Sequence, residues 1–349
     1  MSRIVAFGEI MGRIAPPGFK RFAQAMPGMV EMTFAGAEAS AAASLAQLGA
    51  DAAFVTALPQ HEIADACVAS LRAMGVDTRH ILRVPEGRLG LYFLETGANQ
   101  RAGQVIYDRE GSSVAITPAS AYDWNAIFHD AEWFVISGIT PAIARNAADV
   151  TRTAMHEASR LGVKIACDMN YRSKLWRWEP ALPPRELATR TMRELLPLVD
   201  LFIGGREDAE AVLGLSGDTS LEKLASEITV QFPRVQQVAM TLREGNSATE
   251  TGFGGVLHDA AAGAVCFAPA PDRLHSISAI VDRLGAGDAF TAGLIFALIT
   301  PELRPSQTAI SFAAAAGCLA HSIEGDFNRV TRAEIEALMR GASGSRVHR

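Results

Sequence analysis

No stretch of this sequence runs apolar for the roughly 18 to 20 residues that a membrane-spanning helix needs; the run LIFALIT stops at Pro301. The opening MSRIVAFGEIMG carries too few apolar residues before Gly8 and Glu9 for a secretory signal core, and it reads instead as a first β-strand. Cysteine is scarce. Cys67, Cys167, Cys266 and Cys318 stand far apart, with no C-x-x-C pair and no histidine at metal-site spacing. That excludes a zinc framework or a disulfide scaffold and suits a reducing compartment. Basic runs are absent as well: 32 Lys and Arg are scattered among 38 Asp and Glu, for a formal net charge of −6. Nothing here is shaped for a phosphate backbone. The expectation is a cytoplasmic protein with no nucleic-acid or membrane partner.

What is present suits an enzyme. The chain has 349 residues, 49% hydrophobic and 20% charged, enough to bury a large core and still hold a cleft. Apolar, β-branched runs alternate with Ala-rich helical stretches. IVAFGEI, AAFVTAL, EWFVISG, VKIACDMN, DLFIGG and QVAMTL read as strands, and SISAIVD as one more. Between them lie helices such as EASAAASLAQLG and ADACVASLRAMG, each closed by a glycine. Strand–helix–strand repetition predicts an α/β fold, with a doubly wound, mainly parallel sheet covered by helices on both faces.

One region breaks that rhythm. RLGLYFLETG and GQVIYDREG are strand-like runs joined by a short turn with no helix between, which predicts a hairpin. We assign segments of about 10–35 and 86–115 to a small β lid on a domain covering 1–340. The tail, 341–349, is small, polar and basic and reads as disordered.

The chemistry concentrates in VDRLGAGDAFTAG, residues 281–293. Gly285 and Gly287 lack the Cβ that would keep a backbone from turning sharply against a ligand. The helix behind them, apolar nearly all round, offers free N–H groups and a positive dipole end to an anion. Asp288 has two readings there: an N-cap, or a general base beside an anion hole formed at Gly285, Ala286 and Gly287. At the carboxyl end of another strand, Asp168, Asn170 and Arg172 share a face, where open α/β sheets bind ligands. Tyr107 and Arg109 share a face of the hairpin by strand periodicity. Two strand-end arginines, each beside a tyrosine, match a carboxylate bidentately.

VDRLGAGDAFTAG resembles the signature D-T-x-G-A-G-D of the ribokinase (PfkB) family of sugar kinases, with Asp282, Gly285, Ala286, Gly287 and Asp288 matching and Arg283 standing where threonine is usual. FAGAEASAAASLAQLGA is similar to the family's first sugar-binding segment, with Ala35 for its first glycine and Ser40 for its asparagine. The wording D-x-N-Y-R-x-x-L-W and Y-D-R-E-G-S resembles the 2-keto-3-deoxygluconate kinase branch. The resemblance implies an ATP-dependent kinase acting on a primary hydroxyl of a keto-deoxy sugar acid, with Asp288 as base. It implies an acceptor site of Gly36, Ser40, Tyr92, Tyr107, Arg109, Asn170 and Arg172. It implies a nucleotide site of Thr241, Arg243, Arg283, Gly285, Gly287 and Asn328, the last in EGDFN, beside the small-residue helix QTAISFAAAAGCLAH. Arg243 also reads as a solvated loop charge.

The family's Asn-x-x-Glu motif falls in LFIGGREDAEAVLG, where Gly205 replaces Asn and Asp208 replaces Glu. Asp208, with Glu207, is therefore expected to meet Mg²⁺ through water. Two other functional readings stand beside the sugar-acid kinase. One is a kinase of a neutral ketose, pentose or nucleoside; the other is a non-catalytic sugar-acid sensor on the same scaffold. The free edge of the hairpin admits a homodimer through the lid.

Overall fold

The computed structural model describes residues 2–215, 219–245 and 247–341; most of the tail expected to be disordered, 342–349, lies outside them. Along the chain the strands are β1 (Arg3–Phe7), β2 (Met11–Ala15), β3 (Glu31–Ala35), β4 (Asp51–Pro59), β5 (Ile81–Val84), β6 (Gly90–Glu95) and β7 (Gln104–Asp108). They continue as β8 (Ala131–Ser137), β9 (Lys164–Asp168), β10 (Leu201–Gly204), β11 (Gln237–Glu244), β12 (Thr251–Asp259), β13 (Ala264–Ala268) and β14 (His275–Ile277).

The ten-stranded main sheet runs in the order β13-β12-β11-β10-β9-β8-β1-β4-β5, with β14 added to β12. Every pairing from β5 across to β11 is parallel. β12 then turns back antiparallel and extends the sheet with β13 and β14. The fold is therefore α/β, with helices on both faces, as the alternating pattern implies. Its central strands are continuously buried because both faces are covered: β4 buries Ala52 to Pro59 and β10 all of LFIG. From β1 the chain winds one way to β4 and β5, and later the other way from β8 onward. The strand order thus reverses between β1 and β8, and the crevice outside their carboxyl ends is where such sheets hold ligands.

A second sheet, β3-β2-β6-β7, is separate. Its strands fall within segments 10–35 and 86–115, and β6 and β7 form the antiparallel hairpin. Its cleft face carries Met11, Arg13, Ala35, Tyr92 and Tyr107, in register with one another.

The strand expected over SISAIVD is shorter than the pattern suggests. β14 ends at Ile277, and the amides of Ile280 and Val281 donate to Thr249 and His321 carbonyls in loops rather than to a strand. Those loop bonds bend the chain into the motif turn.

Candidate active site

The motif turn is built by its own backbone. The Leu284 amide donates to Asp282 Oδ1 at 3.0 Å, a local turn that leads into Gly285. Gly285 has φ 81 and caps the helix Ala286–Ile299. A Cβ there would lie 2.3 Å from the carbonyl oxygen of Asp326, so glycine is required both by the dihedral and by the neighbour. The first internal helical bond runs from Ala289 N to Gly285 O. The amides of the first turn have no helical partner by geometry, and Gly285 and Gly287 line the cleft. Asp288 is therefore not the N-cap. It sits at the third helical position, makes no side-chain cap bond, and faces the same cleft.

Its surroundings oppose ionisation. Removal from water raises the Asp288 pKa well above the ordinary carboxylate range, and Asp168, Asp326 and Glu38 push the same way while Arg172 pulls it down. Asp168 closes β9, and one of its oxygens accepts from Thr291 Oγ1 at 3.4 Å. Thr291 lies one helical turn beyond Asp288, on the same face. Burial and then the charge of Asp208 push Asp168 up to about 7. Glu38, on the helix Ala37–Gln47, is wholly buried; its Oε1 accepts from Ser137 N, Ser137 Oγ and Thr140 Oγ1. Burial raises its pKa too, with those bonds working against the rise.

The cleft has a volume of about 820 Å³, the size range of small-molecule sites. Gly36, Tyr92, Tyr107, Arg109, Asn170 and Arg172 all border it. Gly36 is packed on the end of β1, where a Cβ would meet the Glu9 carbonyl oxygen at 2.1 Å. Asn170 takes φ 39, turning the chain out of β9 so that Arg172 projects into solvent at the cleft mouth. Arg109 lies over the Tyr107 ring at 5.6 Å and is ion-paired with the buried Glu9, Nε to Oε2 at 2.6 Å. Ser40 departs from expectation: the helix Ala37–Gln47 turns it inward, wholly buried and away from the cleft lining.

On the other side of Asp288, Thr241 and Arg243 extend from β11 into the cleft. A Cβ on Gly287 would lie 3.6 Å from Arg243 Nη2, which puts that guanidinium beside the motif turn, where it also covers the Phe253 ring at 5.5 Å. Arg283 borders the cleft, with its Nε donating to the Ala248 carbonyl and its Nη2 to those of Ser247 and Glu250. It pins the loop after β11. Asn328 does not reach the cleft lining: it is buried, and its Oδ1 accepts from the Val330 amide in a local turn. From the same segment Asp326 reaches the cleft instead.

Asp208 accepts from the amides of Tyr171 at 2.8 Å and Gly205 at 2.6 Å, tying the loop after β9 to the one after β10. Among the described residues no group of at least three His, Cys, Asp or Glu gathers as a metal cage. Glu9, Arg13, Glu38 and Asp326 went unread in the sequence. A lone arginine inside MGRIA and a lone glutamate at the head of an Ala-rich helix were the available signals.

Residues 1–328 match the model of the pfkB family carbohydrate kinases. The chain is 33% identical over 341 residues to the 2-dehydro-3-deoxygalactonokinase of Haloferax volcanii, covering 97% of each. It superposes with a TM-score of 0.89 on the crystal structure of 2-dehydro-3-deoxygluconokinase from Thermotoga maritima, at 39% identity, covering 98% of this chain and all of that one. A pfkB family carbohydrate kinase from Listeria grayi gives 0.88 at 32% identity, with 97% of this chain and 100% of that one covered. Among the described residues no helix is long and apolar enough to cross a membrane.

Proposed function

The chain belongs to the pfkB family of carbohydrate kinases, and from that premise we propose that it transfers the γ-phosphoryl group of ATP to the primary hydroxyl of a keto-deoxy sugar acid. 2-Keto-3-deoxygluconate and its galactonate epimer are the first acceptors to test, since the named relatives divide between them. The observation that carries the reading is the placement of Asp288. It is a carboxylate whose pKa is raised by burial, inside the first turn of a helix whose free amides open on the same cleft as Arg172. Asp288 takes the hydroxyl proton as the oxygen attacks. The amides around Gly285, Ala286 and Gly287 hold the charge that develops on the phosphoryl oxygens. Arg172 and Arg109 orient the acid, with Gly36 letting it approach the backbone and Tyr92, Tyr107 and Asn170 enclosing it. Thr241 and Arg243 lie toward the nucleotide phosphates.

The donor set suits Mg²⁺ held largely by water and phosphate, because Glu207 and Asp208 offer hard oxygens at the cleft edge without forming a cage. When bound, Mg²⁺ neutralises charge on the β- and γ-phosphate oxygens. Glu207 and Asp208 would hold it through its water shell.

The test is ADP release with Mg·ATP across sugar acids, ketoses, pentoses and nucleosides, in wild type and in Asp288→Asn. We expect turnover with a keto-deoxy acid and a loss of several orders of magnitude in the variant; near-normal turnover by Asp288→Asn sinks the assignment. One observation favours a neutral acceptor instead: Glu9 already neutralises Arg109. If Arg109→Ala and Arg172→Ala raise KM no more for a sugar acid than for fructose or ribose, the neutral sugar is the substrate.

We further propose that two copies associate through the small sheet. Its outer face supports this, because Met32 and Ile106 are exposed on it beside the half-buried Ile14, Leu91 and Phe93.

A further inference from the structure

The small sheet touches the motif turn through one buried cation. Arg13 stands on β2, cross-strand from Tyr92 on β6, and is 5% exposed. Its Nη2 donates to Asp282 Oδ2 at 2.5 Å and its Nη1 to Asp326 Oδ1 at 2.7 Å. The Tyr92 hydroxyl donates to the same Asp326 oxygen at 2.9 Å. Neither contact is local in sequence, with separations of 269 and 313 residues. The Asp282 carboxylate and the Asp326 backbone then meet the turn that opens the anion hole. Asp282 accepts from the amides of Leu284 at 3.0 Å and Gly325 at 3.2 Å. The Asp326 carbonyl abuts Gly285. Leu284 itself packs on the cleft-side apolar cluster of the small sheet, with Met11, Ala35, Tyr92 and Leu94.

Burying an arginine with two carboxylates is a costly way to hold a sheet in place, and a well-packed apolar contact of equal volume often does as well or better. What the fork adds is orientation: two fixed donor directions meeting two carboxylates, so that the sheet and the turn have one shared arrangement. Burial works against the charge on Arg13, but Asp326, Tyr92 and Asp282 outweigh it and hold its pKa above that of an ordinary arginine.

We propose that Arg13 is a positioning residue that couples the sheet over the acceptor to the Gly285–Gly287 anion hole, so that acceptor and nucleotide bind cooperatively and the phosphoryl group is aligned only when both are present. The inference rests on the phosphoryl-transfer reading of the cleft. Arg13 touches neither substrate; it acts through Asp282 and Asp326.

The experiment is a titration of the acceptor with and without a non-hydrolysable ATP analogue, beside steady-state kinetics. In wild type we expect each ligand to tighten the other by about 5-fold or more, the scale of an ordinary coupling free energy. Arg13→Met leaves two buried carboxylates unpaired and risks unfolding, so the informative variants are Arg13→Lys and the uncharged Arg13→Met/Asp282→Asn/Asp326→Asn. Arg13→Lys keeps the charge without the fork. In both, each ligand alone should bind within about threefold of wild type while the coupling falls toward one and kcat drops at least tenfold, with Arg13→Lys the milder. Coupling and kcat unchanged in folded Arg13→Lys and in the uncharged variant overturn the inference. So does a loss that appears equally in each ligand's solitary affinity, which is what mere loosening produces. A wild type that phosphorylates no acceptor in the panel overturns the functional reading instead, and is seen before any variant is made.

Discussion

At the scale of single residues, the site is a problem of negative charge. Asp288, Asp168 and Glu38 meet behind the motif helix, and each has its pKa raised first by burial. Activity should fall as acid protonates Asp288, and burial makes that fall begin at higher pH than for an ordinary carboxylate. Replacing Asp168 by Asn removes a negative neighbour, so the Asp288 pKa should drop. The acid limb of kcat/KM should then shift to lower pH, as a pH–rate profile would read; an unmoved limb excludes Asp168 as the tuning charge. The stability consequence has a definite sign. Asp168 titrates near 7 in the fold and about 3.9 when unfolded, so between those values the native state holds the extra proton. Stability from this group therefore declines as pH rises from about 4 to 7. Asp168→Asn should flatten that part of a denaturation-versus-pH curve and be stabilising at pH 8, where the wild-type carboxylate is ionised and buried.

At the scale of elements, much of the frame was legible. Parallel strands covered on both faces must be apolar throughout, and helices between them must end where glycine lets them, so IVAFGEI, AAFVTAL and VKIACDMN announce themselves. β12 was not read, because TGFGGVLHD carries Gly252, Gly254 and Gly255 and resembles a loop. Those glycines answer to neighbours no local window contains: a Cβ on Gly255 would meet the Phe290 ring at 2.6 Å. The candidate site divides the same way. Tyr107, Arg109, Asn170 and Arg172 do reach the cleft, but only Tyr107 lies within a strand; Arg109 follows β7, and Asn170 turns the chain after β9 before Arg172. Strand periodicity could not tell that Arg109 has Glu9 for a partner, that Arg283 is held by carbonyls, or that helical phase turns Ser40 inward. The helix Ser306–Ala320 offers a test of close packing at this scale. A Cβ on Gly317 would lie 2.5 Å from Phe253 Cε1 and 3.1 Å from the Ala286 carbonyl oxygen. Gly317→Ala should cost about 1–3 kcal/mol through overpacking and weaken nucleotide more than acceptor, because the atoms it displaces first are those of the Phe253 ring, which carries Arg243, with the Ala286 carbonyl of the motif helix next. A thermal melt and separate ligand titrations distinguish this from uniform loosening.

At the scale of the molecule, the small sheet turns one face to the cleft and leaves the other outward. The outer face alternates as a half-buried strand set should, with Ile14 on β2, Met32 and Phe34 on β3, Leu91 and Phe93 on β6, and Ile106 on β7. Phe22, from the segment between β2 and β3, covers part of it by packing edge-on against Phe93 at 6.0 Å. Ile106, 60% exposed, and Met32, 42% exposed, remain open, and Met29 is exposed nearby in the chain. The open apolar residues of this face, beside the Asp108–Arg88 ion pair, favour a partner face of the same kind, and a second copy supplies one by two-fold symmetry. The free edges β3 and β7 alone would offer only main-chain bonds; the face offers burial. Sedimentation of the wild type should therefore report a dimer, and Met32→Lys/Ile106→Lys a monomer, since each lysine would have to be desolvated unpaired at the interface. The lid in that monomer loses its outer support, so its acceptor KM should exceed that of the wild type while nucleotide affinity holds. A wild type that sediments as a monomer at concentrations well above those of the assay removes the second copy as the occupant of this face.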